Sequence, residues 1–519
     1  MAYVIHDYLI ESMNIAPEKI AVHIIDGETY TYQSVYRACL NMASFLISQD
    51  INKHDRVVLI LPNNIEHIIT IFAISMVGAV FVPIHPSSSI NQIKHVIDDC
   101  GCKMIVTTTN ILLTLHQTSN CNYNGIIYVC SDAKTNATNN YLSFWDIVNC
   151  RNIGEPRTVI ENDLAAIIYT SGSTGNPKGI MLSQKNLVIG TSIVSDYLSI
   201  NSNDNILGVL PLNFDYGLNQ LLTCFSKCAA YFTRPLLSFA NIPYIIEKYS
   251  ISGCAGIPTT WIALLNQKNL KTFSFSNLRY ITNSGGAIPE KYLDLLQNIF
   301  QNTKIFLMYG LTEAFRCTYL NPDKYSIKKG SIGKAIPNSE VFVLNSEGHI
   351  CMENEIGELV YRGATVAMGY WNNKEATDRV FRYNLYLPTE MLKYEKVVYS
   401  GDLVYFDNEG YLFFVERNDS LIKSQGFRIS PLEIEEALYK HPAIEECIVI
   451  GKKDDLVGEK IVAIVKIKQN MNLSLGEVRK FCKNLLPSYM FISELIIVDD
   501  IPRTNTGKVN RKILSEQYG

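Results

Sequence analysis

Short, almost unbroken apolar runs alternate along most of this chain with longer segments whose apolar residues return every three or four positions. "RVVLILP" (56–62) leads into "NIEHIITIFAISMVG" (64–78), then "AVFVPI" (79–84), "SINQIKHVIDDCG" (89–101) and "KMIVTT" (103–108). A strand that is apolar on both faces must be covered on both, so continuous runs between amphipathic helices predict parallel sheets with helices on either side. The alternation returns at "DNILGVLPL", "AAYFT", "ISGCAGIP", "LRYITNSGG" and "KIFLMYG". No fixed-period repeat is visible, which disfavours a solenoid or propeller. The fold class is therefore α/β, a large N-terminal domain of layered, largely parallel sheets with helices.

The last hundred residues read differently. "GYLFFVERND" and "SLIKSQGFRI" suggest a hairpin, followed by a helix at "SPLEIEEALYKH", strands at "ECIVIGKKD" and "KIVAIVKIK", and a helix at "LGEVRKFCKNLLP". This predicts a small α+β C-terminal domain. The charged "VERNDS" fits a short exposed connection, placing the domains at 1–418 and 419–519. The chain of 519 residues is too long for one core.

Composition narrows the classes. A net charge of −4 provides no basic field for nucleic acid or an anionic membrane. The start "MAYVIHDYLIESMN" carries Asp7 and Glu11 and lacks a basic opening, so no signal peptide is expected. Ile68 to Ile84 is interrupted by Thr70, Ser75, Gly78 and Pro83, short of a membrane span. The 13 cysteines include no CxxC pair, and the close couple Cys100 and Cys102 lacks metal-ligand spacing. Reduced, buried thiols in a cytoplasmic protein are the expectation.

The chemistry concentrates in "YTSGSTGNPKG" (169–179), with three glycines, five hydroxyls and a lysine after the strand-like "LAAIIYT". Bare amides and small hydroxyls suit phosphate. The loop is not a Walker A motif, because Lys178 follows Pro177 and precedes Gly179. With "MYGLTEA" (308–314), "YSGDLVYFDNEGYLFFVERNDSLIKSQGFRISPLEIE" and "PRTNTGKVNRKIL", in this order, the chain resembles the adenylate-forming superfamily of acyl-CoA synthetases, luciferases and nonribosomal adenylation domains. The resemblance implies a mobile small domain on a large one, and ATP with Mg²⁺ as cofactors.

It also implies roles. Thr170, Ser171, Gly172, Ser173, Thr174 and Gly175 would hold the β- and γ-phosphates, with Lys178 reinforcing the loop. Tyr309, with Met308 and Gly310 beside it, would stack on adenine, against a wall made by Gly285 and Gly286. Thr312 would bond the α-phosphate, and Glu313 would offer Mg²⁺ a hard carboxylate oxygen. Asp402 would accept from both ribose hydroxyls and Arg417 would add a second ribose contact, although Glu416 stands where the family usually has glycine. Asp419 falls at the hinge, Gly426 on the pantetheine path, and Lys508 in the loop that brings a cation to the reacting carboxylate.

The substrate is read from "PLNFDYGLNQLL" (211–222). Many acyl-CoA synthetases have a histidine here. Phe214-Asp215 instead resembles the amino-acid branch, in which that aspartate holds the α-ammonium. Tyr216, Asn219, Ser284, Met308 and Arg316 complete the expected pocket, with Arg316 also able to recognise an acidic group. The bulk of Tyr216 and Met308 favours a compact substrate. "FDYGLNQL" with "YGLTEAFRCTYL" resembles free-standing ligases that load L-proline onto a carrier protein. Only eleven residues follow Lys508, so the thiol is expected in trans, on a phosphopantetheinylated carrier protein or coenzyme A. The expectation is an amino-acid-activating ligase, L-proline favoured. The alternative is an acyl-CoA ligase for a small organic acid.

Overall fold

A computed structural model describes all residues except 1, 119–124, 133–140, 151–155, 171–176, 236–237, 385, 393, 418–420, 425–426, 455–456, 484, 487–489 and 505–506. Among the described residues three sheets of 14, 8 and 5 strands form the framework. The eight-stranded sheet is parallel from Leu164–Thr170 through Val80–Pro83, Arg56–Leu59, Met104–Thr107 and Ile127–Cys130 to Leu142–Ser143. These are the continuous apolar runs of the sequence, and their burial on both faces is the reason they lack alternation.

The helices between them start where side chains take up the free amides of the first turn. Asn64 caps Ile65–Val77 by accepting from the His67 amide. Ser89 and Gln92 form a reciprocal capping box at Ile90–Cys100. That helix buries Ile93, Val96, Ile97 and Cys100, an i, i+3, i+4, i+7 stripe.

The 14-stranded sheet has two characters. Its parallel half joins Ile20–Ile24, Ala230–Thr233, Asn205–Leu207, Gly253–Gly256, Tyr280–Asn283 and Lys304–Tyr309. From Thr318–Leu320 onward it is antiparallel, through Ser331–Ala335, Leu412–Arg417, Lys396–Phe406, Gly357–Gly363 and Ser339–Leu344. The expected hairpin of "GYLFFVERND" with "SLIKSQGFRI" does not form. Leu412–Arg417 pairs with Lys396–Phe406 in the large sheet, whereas Ile422–Ser424 pairs with Phe427–Ile429 in the third sheet. Two apolar strands with a polar link satisfy the hairpin pattern locally, but each finds a better buried partner elsewhere.

The third sheet uses residues 422–497 and has its own core of Ile434, Leu438, Val449, Ile461, Val478 and neighbours. It rests on the large sheet's helices through Tyr292, whose hydroxyl donates to the Glu445 carbonyl at 2.9 Å. Every cysteine among the described residues except Cys150 is buried, and none is paired. No helix among them is long and apolar enough to cross a membrane.

Candidate active site

The parallel strands of the large sheet deliver their C-terminal ends to one edge, the usual ligand edge of such sheets. Tyr280–Asn283 ends there in Ser284, Gly285 and Gly286. Lys304–Tyr309 ends in Gly310 and a single 3₁₀ turn, Thr312–Ala314. Phe214 precedes the helix Asp215–Ser226 and aims the helix's first turn at the same place.

Lys508 enters this site from the third-sheet side. The Thr504 amide donates to the Lys508 carbonyl, the Gly507 amide donates to the Thr504 carbonyl, and Arg503 bridges Val509. Gly507 turns the chain at φ 82°, and Thr259 donates its hydroxyl to the Gly507 carbonyl at 3.3 Å. The ammonium of Lys508 lies 4.8 Å from the Phe214 ring centroid. Burial draws its pKa below the ordinary lysine value; Asp215 and Glu313 oppose this, and Arg417 and Arg316 add to it. Such a cation is held ready to meet anions.

Gly285 makes room for it. Its φ is 80°, and a Cβ there would come within 2.9 Å of Lys508 Cε. The wall expected for adenine therefore also backs the lysine. Gly285→Ala combines left-handed strain with a displaced lysine. The expected result is a fall of about tenfold or more in acyl-adenylate formation with the fold intact, read by pyrophosphate release and by thermal melting.

Tyr309 donates its hydroxyl to Asp402 Oδ2 at 2.5 Å, and Arg417 Nε lies 3.4 Å from Asp402 Oδ1. Asp402 and Arg417 are cross-strand partners, so register alone sets them side by side. The neighbouring Glu416, the departure from glycine, is buried and accepts from the Arg417 amide at 2.8 Å. Desolvation pushes its pKa up.

Glu313 follows Thr312 in the 3₁₀ turn, and its Oε1 accepts from the Tyr370 hydroxyl at 2.6 Å. The Lys178 ammonium sits 5.7 Å from the Tyr370 ring. Tyr370 thus ties the lysine end of the phosphate loop to the acidic turn, a role the sequence reading missed. Its signal was "GYW" (369–371), a short strand pairing with Lys178–Ser183. Thr170 and Lys178 are register partners at the mouth of that loop. Ser171, Gly172, Ser173, Thr174 and Gly175 lie outside the described residues, as do Asp419 and Gly426. Among the described residues no group of three or more His, Cys, Asp or Glu could cage a metal. Glu313, linked through Tyr370 to Lys178, is a carboxylate that fits Mg²⁺, which takes one or two carboxylates and completes its shell with other oxygens.

On the substrate side, Asp215, expected to hold an α-ammonium, has its Oδ2 met by Arg316 Nη1 at 3.3 Å, both side chains being buried. Arg316 Cζ also lies 4.9 Å from the Tyr216 ring centroid. Tyr216 shares a 2.5 Å hydrogen bond with Thr282 Oγ1. Asn219 reaches Thr191 Oγ1 at 3.5 Å, and Met308 Sδ accepts from the Tyr197 hydroxyl at 2.8 Å. Ser284 is buried, its amide 3.4 Å from the Gly256 carbonyl. Asn283, which the sequence reading passed over, donates to the Gly286 carbonyl at 2.9 Å and fixes the glycine turn.

A family model described as AMP-binding enzyme matches residues 10–371, and one described as AMP-binding enzyme C-terminal domain matches 433–508. The chain is 28% identical over 525 residues to 4-coumarate–CoA ligase 2 of Nicotiana tabacum, covering 98% of this chain and 93% of that one. It is 26% identical over 529 residues to a long-chain-fatty-acid–CoA ligase of Bacillus subtilis, covering 96% and 92%. Its fold matches the crystal structure of an anthranilate CoA ligase with anthranoyl-AMP at a TM-score of 0.89 and 23% identity, covering 99% and 97%. It also matches an o-succinylbenzoate CoA synthetase of Bacillus subtilis with ATP and magnesium ion at 0.82 and 24%, covering 98% of each chain.

Proposed function

This chain belongs to the AMP-binding enzyme family, and we propose that it joins a small carboxylic acid to coenzyme A through an acyl-adenylate. It is an AMP-forming ligase that uses ATP with Mg²⁺. The relatives named above are acid–CoA ligases, which supports coenzyme A over a carrier protein as the thiol.

One observation carries the choice of substrate. The only carboxylate expected to hold an amino acid's ammonium, Asp215, is bound to Arg316. A buried carboxylate whose charge is already offset by a guanidinium attracts a second cation less strongly than an unpaired one. An acid without an amine suits this site better than L-proline.

In the first step a carboxylate oxygen attacks the α-phosphorus and the bond to pyrophosphate breaks. Lys508, drawn in beside Phe214 and Gly285, would stabilise the carboxylate and the α-phosphate as their charges converge. Thr312 bonds the α-phosphate. Tyr309, flanked by Met308 and Gly310, would stack on adenine against the wall of Gly285 and Gly286, and Asp402 with Arg417 would hold the ribose. Thr170, Ser171, Gly172, Ser173, Thr174, Gly175 and Lys178 cradle the outer phosphates. Glu313 would hold Mg²⁺, which when bound would offset charge on the phosphates. In the second step the thiol sulfur attacks the acyl carbon and AMP leaves, after the small domain has turned about Asp419 and brought Gly426 to the pantetheine arm.

The test is a panel of small acids, including amino acids, incubated with ATP, Mg²⁺ and either coenzyme A or a phosphopantetheinylated carrier. Acyl-CoA formed in step with AMP supports the reading. Thioester found only on the carrier, with amino acids only, contradicts it. Glu313→Gln keeps the shape and removes the charge. It should shift the Mg²⁺ titration of adenylation to higher concentration by about tenfold or more, and a titration that overlays the wild type removes Glu313 as ligand.

A further inference from the structure

The guanidinium of Arg316 is buried at 2% exposure, yet it uses only one of its three nitrogens. Nη1 donates to Asp215 and, at 2.7 Å, to the Phe315 carbonyl. Nε and Nη2 have no partner among the described residues. These two N–H groups lie along one edge of the guanidinium, parallel and spaced to match the two oxygens of a carboxylate. Leaving them unpaired in a buried place is costly unless a ligand supplies the acceptors.

The edge is aimed by strained backbone. The Arg316 amide donates to the Ala314 carbonyl at 2.5 Å, closing a three-residue turn with Phe315 at φ 50° and ψ −44°. A non-glycine residue in that conformation is strained and persists where the surroundings impose it. Tyr216, fixed by Thr282, covers one face of the guanidinium, so the edge and not the face is left for a ligand. Tyr216 packs edge-on against Phe214 at 6.1 Å, and Phe214 carries Lys508. The two cations thus sit on the two members of one aromatic pair, Lys508 at the reacting end.

Resting on the acid–CoA ligase reading above, we infer that the substrate is a dicarboxylic acid: Lys508 meets the carboxylate to be adenylated, and Arg316 takes the other through Nε and Nη2. Asp215 does not oppose this. It neutralises the guanidinium's net charge and holds Nη1, so that the second carboxylate is recognised by paired donors and not by bulk charge. A site built around such donors rejects the analogue that lacks the acceptor, because the donors are then left unpaired. The second carboxylate stays free in the product.

The test measures AMP formation with straight-chain diacids from malonate to adipate and with isophthalate, each beside the monoacid of matching length or ring. Wild type should favour one diacid over its matched monoacid by about 10²-fold or more in kcat/KM. Arg316→Gln should cut the preference for that diacid over its matched monoacid by about 10²-fold, chiefly through KM for the diacid. Arg316→Gln leaves Asp215 buried and unpaired, so the double variant Asp215→Asn with Arg316→Gln is run in parallel, with ATP binding by calorimetry as the check on folding. A double variant that binds ATP and shows the same KM pattern supports the inference. Wild type preferring the monoacids, or either variant losing both classes by the same factor, overturns it. A wild type that makes AMP with no acid of either class overturns instead the acid–CoA ligase reading on which it rests.

Discussion

Replacing Lys508 with alanine lowers acyl-adenylate formation by about 10²–10³-fold, the usual effect of removing one preorganised charge from a reacting site. The same variant still passes the acyl group from a supplied acyl-adenylate to coenzyme A, because that step does not bring two anions together. Lys508 lies beside Phe214 and against Gly285, the placement that the proposed first step requires. Its pKa gives a second readout. Burial lowers it, so the ammonium is lost as pH rises through a value below that of an ordinary lysine. In wild type kcat/KM for adenylation should fall on this alkaline limb, and in Lys508→Ala the limb should be absent. If both half-reactions slow by the same factor, Lys508 is holding the fold and not the transition state.

The second large effect is on stability. Asp215→Ala leaves a fully buried arginine without its counter-ion, and breaking one side of a buried pair costs about 3–5 kcal/mol. The thermal midpoint should fall by several degrees and the KM for the acid should rise, while ATP binding at the far side of the site changes little. Asp215→Asn combined with Arg316→Gln removes both charges and should lose less stability than either single change. The coupling separates this account from the amino-acid one. If Asp215 were waiting for a substrate ammonium, Asp215→Ala would spare stability and spoil only amino-acid binding. Asp215→Ala melting at the wild-type temperature would show that Arg316 does not depend on it.

Several residues expected around the nucleotide are brought together by the fold because they sit in short contiguous motifs at strand ends. Tyr309, Thr312 and Glu313 share one strand end, and Asp402 meets Arg417 through register. What was not legible is what depends on partners distant in sequence. The Asp215–Arg316 contact joins residues 101 positions apart, and an aspartate after a phenylalanine reads the same whether open or paired. The antiparallel strands between 331 and 406 escaped because their alternation, as in Lys396–Phe406, leaves no continuous apolar run. Tyr370 was hidden for the same reason, on a strand of two residues.

The central claim, a carboxylate activated through AMP and released to a thiol, is tested most directly with an acid labelled with oxygen-18 in both carboxylate oxygens. Attack on the α-phosphorus places one labelled oxygen between acyl carbon and phosphorus, and attack by the thiol then breaks the carbon–oxygen bond. Mass spectrometry of the products should find acyl-CoA and AMP in equal amounts, with one heavy oxygen in every AMP. Unlabelled AMP, or ADP with orthophosphate in its place, would contradict the account.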